Sequence, residues 1–210
     1  MKVSKHQQEY YQQRMNRHGV SPEGAGWKNQ NAQENRFSQL VKVFQSSEGF
    51  TVNDVGCGFG HLLTYVRSRG FYPDLYRGYD LLPEMVEQAG QVCADDPQAM
   101  FECIQDVAQI EPADYCLASG IFTLRGELSE GAWLAYILRT IEEMNIKSRL
   151  GFSFNLLTKY SDPEYMQDEL YYADPCFFFD FCKRNFSSNV ALLHDYQEYD
   201  FTLVIRKSGS

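Results

Sequence analysis

Three glycines at alternate positions, Gly56, Gly58 and Gly60, constrain this chain more than any other feature. A β-rich run, Thr51 to Val55, leads into them, and Leu62, Leu63 and Val66 follow at helical spacing. The segment reads as a buried strand, a turn without side chains and a helix N-terminus, a layout in which a ligand can touch backbone. A second strand-like run, Leu75 to Tyr79, ends in Asp80, which follows Gly60 by 20 residues. At that spacing a carboxylate on the neighbouring strand can accept hydrogen bonds from a ribose.

The glycines separate two classes of nucleotide ligand. Dinucleotide-binding units carry G-x-G-x-x-G, because the pyrophosphate needs bare backbone at the helix start. Here the third glycine comes one position early and His61 stands where that fingerprint has glycine, which disfavours a nicotinamide oxidoreductase. The run Asp54-Val55-Gly56-Cys57-Gly58-Phe59-Gly60 resembles instead the first motif of class I S-adenosylmethionine-dependent methyltransferases. The resemblance implies that Asp54, Gly56, Cys57, Gly58 and Gly60 hold the methionine part of the cofactor. Tyr76 to Val86 resembles the second motif, which implies that Asp80 binds the ribose hydroxyls and Leu81 lies on adenine. Phe101 to Val107 resembles the third motif and implies Asp106 and Val107 at the adenine edge. Asp114 to Gly120 resembles the fourth strand, whose end, at Ser119, faces the transferred methyl. The fourth motif lacks the Asn-Pro-Pro-Tyr signature of nucleobase and amide methylation, which counts against DNA or a glutamine amide as substrate. Leu170 to Pro175, Phe181-Cys182-Lys183 and His194-Asp195-Tyr196 resemble small stand-alone bacterial members often associated with surface-sugar or natural-product genes. Gly26-Trp27, Gln33 and Arg36-Phe37 are similar to the N-terminal region of that group.

Strand-like and helix-like segments alternate from Phe50 onward. The implied fold is α/β: a Rossmann-like, seven-stranded, mostly parallel sheet with helices on both faces and an antiparallel C-terminal hairpin. Helices are expected over Ser4–His18, Asn29–Phe44, His61–Arg69, Pro83–Ala94, Ser129–Met144 and Asp174–Asn185. Strands are expected over Thr51–Val55, Leu75–Tyr79, Ala99–Ile104, Asp114–Ala118, Ser148–Asn155, Asn189–His194 and Asp200–Arg206. The expected division is an N-terminal helical cap region over residues 1–49 and a cofactor-binding domain over 50–207, with a lid loop over 156–173. Lys207 to Ser210 reads as a loose tail.

Composition narrows the partners. The formal charge of −9, without a basic run, argues against nucleic acid, whose binding rests on clustered Lys and Arg. No apolar stretch is long enough to span a bilayer, and the polar start Met1-Lys2-Val3-Ser4 has no signal core, so a cytoplasmic enzyme is expected. The six cysteines form no C-x-x-C pair and read as reduced, small apolar residues, not as a disulfide frame or a metal site.

Ligands of such sheets bind beyond the carboxyl ends of the strands. That rule brings forward Asn155, Tyr160 and Phe122 as acceptor-side residues, with Trp27, Tyr171 and Tyr172 as parts of a cover. For Trp27 and for Tyr160, Tyr171 and Tyr172 the plainer reading is a packed side chain. Arg36 is a candidate partner of the methionine carboxylate, with an exposed helix arginine as the rival reading. His194, ending an apolar strand, is the candidate general base, against a strand-end histidine bonded to backbone. The expected activity is methyl transfer from S-adenosylmethionine to an oxygen or nitrogen of a small molecule, by a monomer or homodimer. The alternatives are an enzyme that cyclises or cleaves the same cofactor without an acceptor, and a non-catalytic cofactor-binding subunit.

Overall fold

The computed structural model describes residues 5–207. The start of the polar N-terminus and residues 208–210 of the expected loose tail lie outside the described residues; Lys207, expected as part of that tail, is tied down, its N–H donating to the Leu150 carbonyl at 2.8 Å. A polar helix α1 (Lys5–His18) comes first, then α2 (Gln30–Leu40). Asn29 caps α2 by accepting from the Ala32 N–H at 2.9 Å. The helix expected through Phe44 stops at Leu40 and tightens into a 3₁₀ turn over Val41–Val43, after which Phe44 is extended. That turn carries Val41, Val43 and Phe44 down onto the sheet.

The remaining elements alternate. They are β1 (Thr51–Val55), α3 (His61–Ser68), β2 (Leu75–Asp80), α4 (Pro83–Val92), β3 (Ala99–Cys103), β4 (Ala113–Ala118), α5 (Glu130–Lys147) and β5 (Ser148–Thr158). They continue with β6 (Tyr172–Ala173), α6 (Pro175–Asn185), β7 (Asn189–Leu193) and β8 (Asp200–Arg206). Pro83 and Pro175 open their helices, where a missing N–H costs nothing. Ser129 and Asp174 cap α5 and α6.

The strand order is β3-β2-β1-β4-β5-β8-β7, parallel except for β8, which runs antiparallel to both neighbours. An eighth strand was not expected. β6 lies in the segment expected as a lid and pairs Leu157 with Tyr172 and Thr158 with Ala173. β4 has by then ended opposite Phe154, so β6 continues its lane.

Side chains alternate across the sheet. On β4, Tyr115 and Leu117 face α2 and α3, where they meet Phe37, Leu40, Leu62 and Val66. Cys116 and Ala118 face the opposite layer of Trp133, Ile137, Ile141 and Phe178 from α5 and α6. Each such side chain removed from water stabilises by about 1.5–3 kcal/mol. Residues 37–44 thus share one core with the sheet. Among the described residues no helix is long and apolar enough to cross a membrane.

Candidate active site

Strand order reverses between β1 and β4, and a cleft opens beyond their carboxyl ends. The glycine turn forms its floor. Gly56, Gly58 and Gly60 all have positive φ, at 77°, 52° and 77°, which side-chain-bearing residues rarely adopt. The N–H groups of Gly56 and Cys57 both donate to the Tyr79 carbonyl, at 2.7 and 3.0 Å, folding the turn onto β2. A Cβ on Gly56 would stand 2.1 Å from Ile121, whereas one on Gly58 would meet nothing nearer than Ala25 at 4.0 Å. The Gly58 position is therefore open to a ligand.

Asp80 is clamped beside this turn. One carboxylate oxygen accepts from Gly58 N–H and the other from Leu82 N–H, each at 3.0 Å. A carboxylate has about four lone-pair sites, so each oxygen keeps capacity for a further donor. Burial raises the Asp80 pKa above the usual carboxylate range, and the backbone N–H groups of Leu82, Gly58 and Leu81 act against that rise.

Asp54 lies beneath, 1% exposed, and accepts from the Tyr76 hydroxyl at 2.5 Å. Burial pushes its pKa up to about 7; the Tyr76 hydrogen bond opposes this and the charge of Asp80 adds to it. The folded value lies above the unfolded one, so the native state holds the proton more tightly. The stability this confers is complete below about pH 4 and is lost as pH rises through 7. Asp54→Asn should abolish this slope. Relative to wild type, the variant should gain up to a few kcal/mol between pH 5 and pH 8 in denaturant unfolding. A wild-type-to-variant difference that stays constant over that range would refute the buried-acid account.

The far wall comes from the end of β4, through Ser119, Gly120, Ile121, Thr123 and Leu124, and from α5, through Trp133, Tyr136, Arg139 and Thr140. The Ser119 hydroxyl is buried without a hydrogen-bond partner. Helix α1 lies over the cleft, contributing Gln7, Tyr10 and Tyr11, and the Gln7 amide donates to the Leu124 carbonyl at 2.7 Å. Burial raises the pKa values of the Tyr11 and Tyr136 phenols, so both are protonated at neutral pH. At the other end stand Leu81, Leu82, Met85, Ile104, Asp106 and Val107. Asp106 accepts from Ala108 N–H at 3.0 Å and from Arg139 at 2.7 and 2.8 Å. Burial raises its pKa, but these donors prevail and hold the carboxyl below its ordinary value.

The cleft gathers Asp54, Gly56, Cys57, Gly58, Asp80, Leu81, Asp106, Val107, Ser119 and Trp27. Gly60 stands behind it, starting α3 in a left-handed conformation. Other candidates lie elsewhere. The Arg36 guanidinium is paired with Asp200 through Nε at 2.9 Å and through a second, closer nitrogen; it also reaches Glu198 at 3.2 Å. It lies 5.0 Å from the Trp27 ring. Asn155 donates to Asp200 at 3.0 Å and accepts from Gly120 N–H at 2.9 Å, so it supports the turn after β4 from below. Phe122 is fully buried, and its carbonyl accepts from the Trp133 indole at 3.0 Å.

Segment 159–173 is tied down by main chain. Tyr171 N–H donates to Thr123 O and Gly126 N–H to Glu169 O, each at 2.9 Å, and Leu124 bridges Leu170. Tyr172 accepts through its hydroxyl from Gln167 N–H at 3.0 Å. Tyr160 and His194 pair on the exposed surface, ring centroids 6.2 Å apart. His194 follows β7, which does end at the carboxyl edge but is the outermost strand. Four lanes separate it from β1, roughly 19 Å at the usual inter-strand spacing. Tyr136 and Arg139 line the cleft without having been singled out. Their only signal is helical spacing with Trp133, which reads as an ordinary core stripe.

No protein-family profile matches the chain. "Putative methyltransferase Rv1506c" of Mycobacterium tuberculosis is 46% identical over 169 residues, 80% of this chain and 100% of that protein. Among solved structures, the N-methyltransferase NodS of Bradyrhizobium japonicum, in complex with S-adenosyl-L-homocysteine, superposes with a TM-score of 0.64 at 12% identity. That match covers 95% of this chain and 97% of NodS. Magnesium protoporphyrin IX methyltransferase of Synechocystis, with bound S-adenosylhomocysteine, superposes with a TM-score of 0.61 at 16% identity, covering 99% and 90%. At these identities the two structures establish a shared fold.

Proposed function

We propose, from the premise that this chain belongs to the class I methyltransferases, that it transfers a methyl group from S-adenosylmethionine to a small molecule, onto nitrogen in preference to a hydroxyl oxygen. The observation that carries the cofactor reading is the clamped Asp80 carboxylate, with acceptor capacity to spare, beside the bare backbone of Gly58. The residues fit the group. Asp80 would accept from the ribose hydroxyls, Leu81, Met85 and Val107 would flank adenine, and Asp106 would take its amino group. S-adenosylmethionine supplies an electrophilic methyl on a sulfonium.

The chain's own work is alignment and exclusion of water. Tyr11, Trp27, Trp133 and Tyr136 surround the end of β4 with aromatic surface, which also tolerates a nearby cation. Among the described side chains no imidazole or carboxylate stands on that wall; His61 and the acids line the glycine-turn side and the adenine end. An alcohol benefits from a base in losing its proton, whereas an amine attacks once neutral. That contrast favours nitrogen.

Purified protein should be stabilised thermally by S-adenosylhomocysteine and not by NADH. In a mass-spectrometric screen of amines and sugars, acceptor-dependent S-adenosylhomocysteine should appear with an N-methylated product. Its rate should rise with pH as the acceptor amine loses its proton. Methylthioadenosine formed without any acceptor would support the cofactor-cleaving alternative instead.

A further inference from the structure

Gln33 is a buried polar residue of the cleft that this reading leaves unused. It lies on α2, 5% exposed, and lines the cleft with Gly26, Trp27, Gly58 and His61. Its neighbours on the helix are engaged: Gln30 donates to Glu34 at 2.6 Å, and Arg36 is held by Asp200 and Glu198. Among the described residues the Gln33 side chain makes no hydrogen bond, and its amide faces the cleft, open to a ligand or solvent.

Charge at this end of the cleft sharpens the point. Arg139, which lines the cleft, is committed to Asp106 at the opposite end, and Arg36, beside Trp27, is committed to Asp200 and Glu198. Among the described residues no lysine lines the cleft, and burial keeps the pKa of His61 below its ordinary value. Among the described residues, none that lines the cleft near Gly58 is a lysine or an arginine. A primary amide offers both polarities, two N–H donors and a carbonyl acceptor, and so matches a group that carries a carboxylate and an ammonium together.

We propose that Gln33 recognises the amino-acid end of the cofactor with its neutral amide, its N–H donating to the carboxylate and its carbonyl accepting from the ammonium. It takes the place of the ion pair from which Asp200 and Glu198 withhold Arg36. The assignment rests on the reading of the cofactor as S-adenosylmethionine, and the experiment separates the two. S-adenosylhomocysteine and methylthioadenosine share the nucleoside and the sulfur, but the second lacks the amino-acid end.

Both are titrated calorimetrically into wild type, Gln33→Met, which keeps the volume, and Gln33→Glu, which sets a carboxylate against a carboxylate. Both variants should melt close to wild type, because the amide has no partner in the protein to lose. Gln33→Met should weaken S-adenosylhomocysteine by about 10- to 100-fold, the loss expected for hydrogen bonds to charged groups, and Gln33→Glu by more. Methylthioadenosine affinity should change less than threefold in either. Wild type that binds neither compound would overturn the cofactor reading itself. Wild type that binds S-adenosylhomocysteine, with variants that weaken both ligands alike or neither, would overturn the assignment of Gln33 and leave the cofactor reading standing.

Discussion

Asp80→Ala is expected to weaken S-adenosylhomocysteine binding by about 10²–10⁴-fold. Two charge-assisted hydrogen bonds from ribose hydroxyls are at stake, each worth about 1.5–3 kcal/mol, and every 1.4 kcal/mol is tenfold in affinity. The same substitution frees the N–H groups of Gly58 and Leu82, which the carboxylate holds at 3.0 Å each, so the turn loses its preset shape as well. The cost to the unliganded fold should be much smaller. Burial already raises the Asp80 pKa, which means that its charge is poorly accommodated before a ligand arrives. Calorimetric titration and thermal melting of the same variant test both halves. Unchanged affinity would place the cofactor somewhere other than this cleft.

Arg36→Ala should act the opposite way, on the fold first. Asp200 is 2% exposed, and Arg36 meets it with two guanidinium nitrogens. Removing one partner of a buried pair leaves an uncompensated charge and typically costs about 3–5 kcal/mol. In a domain of this size that corresponds to a fall in Tm of roughly 6–20 °C. Arg36→Lys should rescue only part of it, because an ammonium cannot present the two-pronged fork. Arg36→Met combined with Asp200→Asn should recover much of the loss, since the buried charges then leave together. An Arg36→Ala variant melting within about 2 °C of wild type would mean that the pair is solvated in solution.

The parts of the site carried by local patterns were legible in the chain. Thr51–Val55 and the three glycines announce their own conformations, and the 20 residues from Gly60 to Asp80 are the span of one helix and one strand. What depended on distant partners was not legible. Nothing near Arg36 announces Asp200, 164 residues on, so the guanidinium read as available for a ligand. His194 was legible as the end of a strand at the carboxyl edge. Its lane was not, because periodicity fixes the face and direction of a strand but not its place in the strand order. Tyr172–Ala173 is too short to carry alternation, so β6 is visible only through its partner Leu157–Thr158. Tyr136 sits on an apolar helical stripe that gives no sign that the end of the stripe overhangs a cleft.

The wall beyond β4 is stapled by peptide groups. Thr123 with Tyr171 and Gly126 with Glu169 bond through N–H and C=O, and Leu124 bridges Leu170 through the main chain. Backbone bonds are blind to the side chains that hang from them. The residues this staple presents to the cleft, Thr123, Leu124 and Leu170, are therefore free to drift under selection without loosening the wall, while the glycine turn and Asp80 stay untouched on another edge of the cleft. Such a division lets a lineage change what is methylated while keeping what donates the methyl. Related chains should accordingly diverge fastest at these three positions, with the main-chain staple persisting beneath the change.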